Sequence, residues 1–120
     1  MTVPHLAGLA TPCLLLDRDR MQANIDRMSA RADELGVRLR PHVKTCKSTD
    51  IARLMAGAEP SAITVSTLRE AEYFAAAGFT DMVYAVSIAP QGLERVLALN
   101  ARGANVQVLL DAPETAREVA

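Results

Sequence analysis

The sequence predicts an α/β fold in which parallel strands alternate with helices. From residue 37 onward, apolar runs of strand length alternate with helical patterns that begin at capping residues. The connections are short, and strands joined through helices run parallel with right-handed crossovers. Four such units fit either the N-terminal half of a (β/α)8 barrel or a small open doubly wound sheet. The pattern alone does not decide between them.

The first third of the chain predicts an irregular segment, a strand and a long helix. Residues 1–10 have no regular pattern, and residues 13–16 form an apolar run typical of one buried strand. Asp17 is predicted to cap a helix that ends at Gly36. The apolar stripe of this helix consists of Met21, Ile25, Met28, Ala32 and Leu35.

The remaining elements follow in order as strand and helix pairs. The predicted strands cover residues 37–44, 62–66, 82–86 and 106–110. The helix after the first strand starts from Ser48, and its predicted sheet-facing residues are Ile51, Leu54, Met55 and Ala58. The next helix opens with a capping box of Thr67 and Glu70. Pro90 and Asp111 lie at the starts of the last two helices.

The strand over 37–44 carries opposite chemistry on its two faces, because alternate side chains point to opposite sides. The apolar face has Val37, Leu39 and Val43. The polar face has Arg38, Arg40, His42 and Lys44. A solvated edge strand explains such charges, and so does a site that uses them. The strand-to-helix turn that follows favours a site, because catalytic groups in parallel α/β folds collect at such turns.

Three stretches carry a family resemblance. Residues 40–47 read RPHVKTCK, residues 11–17 read TPCLLLD, and residues 65–72 read VSTLREAE, with AAGF at 76–79. They resemble the D-serine dehydratase and D-threonine aldolase family of pyridoxal-phosphate enzymes, which have an alanine-racemase-type barrel. In that family the first lysine of the segment forms the Schiff base with the cofactor, and by position this is Lys44. The family usually has a second histidine where this chain has Cys46.

The resemblance selects the N-terminal half of a (β/α)8 barrel and implies a division of the chain. Residues 1–16 would be a lead-in and a strand of a C-terminal β domain, and residues 17–120 would be the first part of a pyridoxal-phosphate-binding barrel. A complete barrel takes about 250 residues, so we expect the chain to be an N-terminal fragment. The family's divalent metal would have ligands beyond Ala120, and the full-length form is expected to be a homodimer.

Lys44 can condense with an aldehyde only as a neutral amine. Nearby cations favour that neutral form, and the candidates are Arg40, His42 and Lys47. Ser66 and Tyr84, at or near strand ends, are further candidate cofactor-binding residues, although packing explains Tyr84 equally well. Without the resemblance, a lysine exposed at a strand end remains the simple alternative.

The function that these expectations describe is a pyridoxal-phosphate-dependent lyase acting on D-3-hydroxy amino acids. Loss of the α-proton with the β-hydroxyl would make it a dehydratase, and cleavage between the α- and β-carbons would make it an aldolase. An amino-acid racemase of the same barrel type, a non-catalytic pyridoxal-phosphate carrier and an α/β domain without cofactor are the alternatives. The expected partner is a small D-amino acid.

Composition argues against several other classes of protein. The net charge is −1 and aromatic residues make up 3% of the chain, which gives neither a basic footprint nor a stacking surface for nucleic acid. No apolar run approaches the length of a membrane span. Cys13 and Cys46 form no C-x-x-C pair and are predicted to be reduced thiols of a cytoplasmic protein.

Overall fold

The computed structural model describes residues 6–57 and 62–119. Its helices are α1 (Arg18–Leu35), α2 (Thr49–Ala56), α3 (Leu68–Ala76), α4 (Leu93–Ala101) and α5 (Pro113–Val119). Its strands are β1 (Ala62–Val65), β2 (Asp81–Ser87) and β3 (Asn105–Leu109). Short 3-10 turns cover Leu6–Gly8 and Pro90–Gly92.

The three strands form one parallel sheet in the order β1-β2-β3. Each strand is joined to the next through a helix, so the predicted alternation is confirmed. The sheet register places Ile63, Met82 and Val106 side by side on one face, and all three are buried. Their neighbours in the core come mainly from α3, α4 and the turns around them, and include Leu68, Ala71, Phe74, Phe79, Val96 and Leu99.

The helix starts follow the predicted caps. Asp17 accepts a hydrogen bond from the Arg20 amide at 2.9 Å, and Ser48 accepts one from the Ile51 amide at 3.4 Å. Thr67 accepts one from the Glu70 amide at 3.0 Å. These side-chain acceptors satisfy amides that have no partner inside the first turn of a helix. Ala58, predicted to face the sheet, lies outside the described residues.

The first predicted strand of the repeat is the main correction to the secondary structure. Residues 37–44 do not form a strand; they make one isolated parallel bridge, between His42 and Thr64. Val37 is 53% exposed, whereas Val43 is fully buried. Among the described residues, the neighbouring strand of this segment is β1, on one side only. Only one residue of the segment bridges to β1, so no ladder forms.

Residues 13–16, predicted as a buried strand, are irregular and exposed. Backbone hydrogen bonds of a strand need a neighbouring strand, and no described strand pairs with this run. The stripe of α1 is also only partly covered: Ala32 is buried, but Met28 and Leu35 are more than half exposed. The helix itself forms as predicted. No helix in the described part of the chain is long and apolar enough to cross a membrane.

Candidate active site

The sheet has one face covered by helices and one open face. The register aligns Thr64 with Val83 and Val83 with Gln107, in alternation with the buried row of Ile63, Met82 and Val106. Because successive side chains in a strand alternate between faces, Thr64, Val83 and Gln107 belong to the open face. In parallel α/β folds, ligand sites lie at the carboxyl ends of the strands. Residues that bind a ligand are therefore expected on the open face, near the carboxyl ends of the strands.

The segment that carries Lys44 runs beside β1. The Val43 amide donates to the Thr64 carbonyl at 3.0 Å, and the Thr64 amide donates to the Pro41 carbonyl at 2.8 Å. The Thr64 hydroxyl also donates to the Arg40 carbonyl, at 3.1 Å. A turn begins directly after the bridge, and Lys44 lies in it with an exposed side chain. Lys44 is thus at the carboxyl end of the strands, where the sequence predicted it.

His42 is half-buried and immediately precedes this turn. Its Nδ1 accepts a hydrogen bond from the Lys44 backbone amide at 3.3 Å. The contact fixes the ring against the backbone of the residue that bears the candidate amine. A role for His42 in cofactor binding stays a prediction.

Arg40 lies at the other end of the strands. Its guanidinium binds both carboxylate oxygens of Asp81, at 2.7 and 3.0 Å. Gln107 Nε2 donates to the same carboxylate at 3.4 Å. Asp81 is the first residue of β2. Arg40 therefore precedes the turn that contains Lys44 and lies at the opposite end of β1 from it.

The predicted cationic cluster around Lys44 is therefore not formed. Arg40 is neutralised by Asp81, and Lys47 Nζ lies 3.7 Å from Glu70 Oε1. Each of these cations is paired with a carboxylate, so neither offers an uncompensated positive charge to the Lys44 amine. The prediction followed the spacing along one segment and did not include the carboxylates that later elements bring beside it.

Ser66 and Tyr84, the other two candidates, lie on different sides of the sheet. Ser66 directly follows β1 at its carboxyl end, and its hydroxyl donates to Glu70 Oε2 at 3.0 Å. Tyr84 is in register with the fully buried Val65 and packs against the core. The structure brings Ser66 to the same end as Lys44 and places Tyr84 on the helix-covered face.

A further polar pair at the carboxyl ends was missed. The Ser87 hydroxyl at the end of β2 donates to Asp111 Oδ1, at 2.5 Å, after β3 has ended. Asp111 was predicted only as a helix cap. Each of the two residues is the first polar side chain after an apolar run. This shared position could have identified the pair from the sequence.

Cys46 is less exposed than its neighbours Thr45 and Lys47. It packs against the core, and its thiol lies 3.5 Å from the Val43 carbonyl. The position where the resembling family has a histidine is thus turned away from the open face. Within residues 6–57 and 62–119, no three histidine, cysteine or acidic side chains converge as a metal site would require.

With this geometry established, comparison with known proteins assigns the family. The model for the family described as "Alanine racemase, N-terminal domain" matches residues 16–120. The chain belongs to this family. It is 51% identical over 115 residues to a D-threo-3-hydroxyaspartate dehydratase of Delftia sp. (strain HT23), covering 96% of this chain and 30% of that protein.

Solved structures agree with the sequence match. The Delftia dehydratase superposes with a TM-score of 0.89, over 93% of this chain and 30% of that one. An alanine racemase-like protein of Idiomarina loihiensis gives 0.90 at 43% identity, over 94% and 30%. A D-threonine aldolase of Filomicrobium marinum gives 0.83 at 32% identity, over 95% and 31%.

These relatives confirm the family resemblance and the predicted fold class, the N-terminal part of an alanine-racemase-type α/β barrel. The chain spans about 30% of the length of the relatives it matches.

Proposed function

We propose that this chain carries the cofactor lysine of a pyridoxal-phosphate-dependent lyase that acts on D-3-hydroxy amino acids, and that this lysine is Lys44. One observation carries the proposal. The sequence has two lysines, Lys44 and Lys47. Lys47 is paired with Glu70, whereas within residues 6–57 and 62–119 no carboxylate lies within ion-pair distance of the Lys44 amine. An exposed, unpaired amine at the carboxyl ends of parallel strands is accessible to an aldehyde.

The residues around Lys44 are compatible with the cofactor. Lys44 would hold its aldehyde carbon covalently, and the Ser66 and Ser87 hydroxyls end neighbouring strands on the same side. Both hydroxyls already have a carboxylate acceptor, so they could present an oxygen lone pair but not their proton. When bound, pyridoxal phosphate supplies an electron sink for a bond that breaks at the α-carbon.

Two groups of the protein, the Lys44 amine and the His42 ring, would contribute to the reaction. The Lys44 amine would hold the cofactor and, as a neutral amine, would be the base available to take a proton from the substrate. His42 Nδ1 accepts the Lys44 backbone amide at 3.3 Å and so holds the backbone from which the Lys44 side chain extends. Precise placement of a base is worth orders of magnitude in rate.

Dehydration is the favoured reaction. The relative at 51% identity is a 3-hydroxyaspartate dehydratase, whereas the aldolase structure is 32% identical. In a dehydration, the α-proton and the β-hydroxyl leave together as water, and hydrolysis then gives ammonia and an oxo acid. A divalent metal near the β-hydroxyl would assist its departure as a Lewis acid. A structure of a Delftia dehydratase variant described as a metal-free form supports a metal in that relative.

Reduction with borohydride in the presence of pyridoxal phosphate tests the lysine assignment in the intact gene product. We expect mass spectrometry to find the cofactor attached to the peptide containing Lys44. The variant Lys44→Ala should lose this attachment and the absorbance band that accompanies it, whereas Lys47→Ala should still carry the cofactor on the Lys44 peptide once the reaction has gone to completion. Attachment that survives in Lys44→Ala would overturn the assignment.

Products distinguish the reactions. Oxaloacetate and ammonia from D-threo-3-hydroxyaspartate, or pyruvate and ammonia from D-serine, indicate a dehydratase. Glycine with an aldehyde from D-threonine indicates an aldolase. Interconversion of D- and L-amino acids would indicate the racemase alternative, and attachment without turnover of any of these substrates would indicate a carrier.

A further inference from the structure

Glu70 is a buried acidic residue for which the proposed reaction has no use. Its exposed fraction is 8%, which is low for a carboxylate. Glu70 Oε2 accepts hydrogen bonds from the Ser66 amide at 2.8 Å and from the Ser66 hydroxyl at 3.0 Å. The other oxygen, Oε1, lies 3.7 Å from Lys47 Nζ. One carboxylate therefore connects the loop after β1 to the turn after Lys44.

Helix capping does not account for this arrangement. The start of α3 is capped by Thr67, whose hydroxyl oxygen accepts the Glu70 amide at 3.0 Å. A capping role for Glu70 requires contacts only with its own helix start. The contact with Lys47 reaches a segment that precedes α2 and β1. Glu70 thus joins two loops that meet only at the carboxyl ends of the strands.

The surroundings of Glu70 stabilise its ionised form. Burial by itself raises the pKa of this carboxyl group, but the two hydrogen bonds from Ser66, the charge of Lys47 and the Thr67 amide outweigh burial. The net result is a lowered pKa, so Glu70 is a carboxylate at neutral pH. A charge held in this way attracts Lys47 more strongly than a fully solvated one would.

The turn that contains Lys44 needs such support. Lys47 has a φ of 45°, a left-handed conformation that is uncommon for residues other than glycine. Its amide closes the turn by donating to the Val43 carbonyl at 2.9 Å. Lys44 lies inside the turn that this hydrogen bond closes. The conformation of Lys47 consequently affects where the backbone of Lys44 lies.

We infer that Glu70 is a positioning residue for the Lys44 turn: its carboxylate holds Lys47 on one side and Ser66 on the other, and so sets the backbone that presents the Lys44 amine. The part that concerns cofactor attachment rests on the proposed function. The part that concerns the turn itself does not.

Hydrogen–deuterium exchange of the intact gene product tests the turn without cofactor. In Glu70→Gln, the amide oxygen can still accept from Ser66, but the ion pair with Lys47 is lost. We expect the peptide covering the Lys44 turn to exchange about threefold faster, as for a local opening that loses one partly exposed ion pair. In Glu70→Ala, which removes both contacts, the Ser66 peptide should accelerate as well.

Glu72→Gln is the matched control. Glu72 lies on the same helix and has its own ion pair, with Arg95 on α4 at 2.8 Å, but it does not contact the Lys44 turn. Exchange in the turn should match wild type in this variant. Unchanged exchange of the turn in Glu70→Gln would overturn the inference, whatever the cofactor does.

Cofactor attachment gives the second measurement. We expect Glu70→Gln to lower the rate of borohydride-trapped attachment at Lys44 by about threefold, and Glu72→Gln to leave it unchanged. Faster exchange with an unchanged attachment rate would also overturn the positioning role. If wild type itself shows no attachment at Lys44, the proposed function fails, and the exchange data still decide whether Glu70 holds the turn.

Discussion

The two ends of the parallel strands use charge differently. At the amino end, Arg40 and Asp81 form a two-point ion pair with Gln107 beside it, and the charges cancel within the sheet face. At the carboxyl end, Glu70 is paired with Lys47, but the amine of Lys44 has no such partner among the described residues. At the amino end both charges are paired, whereas at the carboxyl end the Lys44 amine is exposed and unpaired among the described residues.

This difference matches the division of labour in barrels, where the amino ends of the strands serve stability and the carboxyl ends serve chemistry. Arg40 reaches Asp81 across β1 at the level of Ala62, whose small side chain leaves room for the guanidinium. Side chains from alternate strands meet in this way inside a barrel. The ion pair therefore belongs to the packing of the open face, although Arg40 precedes Lys44 by only four residues.

Removing Asp81 should have the largest effect on stability. Asp81→Leu leaves the half-buried Arg40 guanidinium without its two-point partner, and we expect the free energy of unfolding to fall by about 2 kcal/mol. Urea denaturation of the intact gene product measures this loss. Attachment of pyridoxal phosphate at Lys44 should be retained under native conditions, because Asp81 lies at the opposite end of the strands.

The double variant Arg40→Met with Asp81→Leu is the control for the pair. It removes both charges and keeps apolar volume, so part of the lost stability should return. A stable Asp81→Leu variant that loses cofactor attachment would contradict the separation of the two ends.

The outcome for Arg40 indicates which features a single sequence can predict. The cap that Thr67 places on the Glu70 amide was predicted correctly, because both partners lie within four residues and the preference is local. The partner of Arg40 is 41 residues away, and no local pattern identifies it. Tyr84 illustrates a third case. It was predicted as a candidate cofactor-binding residue with core packing as the alternative, and its position two residues after the buried Met82, on the same face of β2, favours packing.

The strand predicted over 37–44 was wrong for a physical reason of the same kind. Its predicted alternation holds only at the end of the segment, where Val43 is buried and Lys44 is exposed, because Val37, predicted for the same face as Val43, is 53% exposed. A strand, however, is defined by its neighbours, and only His42 is bridged to β1.

Asn100 offers a second test of the amino end, with a smaller expected effect. Its side-chain amide bonds Val106 twice: Oδ1 accepts the Val106 amide at 2.7 Å, and Nδ2 donates to the Val106 carbonyl at 3.2 Å. Asn100→Ala removes both contacts near the start of β3, and we expect a loss of about 1 kcal/mol. Urea denaturation measures it. The exchange rate of the Lys44 turn should not change, and acceleration there would show that the two ends are coupled.

Lowering the pH should weaken the contacts that Glu70 makes at the carboxyl end of the strands. Near neutral pH this effect on stability should be smallest. The pKa of Glu70 is lowered below its ordinary value of 4.5 in the folded chain, so the unfolded chain takes up the proton first as pH falls. The resulting stabilisation is fully present above 4.5 and is lost as pH falls through the folded value. Glu70→Gln lacks this group. The gap in unfolding free energy between wild type and Glu70→Gln, measured by urea denaturation, should therefore be constant from neutral pH down to about 5 and shrink below it.

Protonation also releases Lys47, because a neutral carboxyl group no longer attracts the ammonium. Exchange in the Lys44 turn should accordingly accelerate in wild type over the same acidic range, after correction for the intrinsic pH dependence of exchange. In Glu70→Gln the corrected rate should already be high and nearly independent of pH. A stability gap that persists unchanged into acid would mean that Glu70 stabilises the fold through its shape alone, and the carboxyl end would then not depend on its charge.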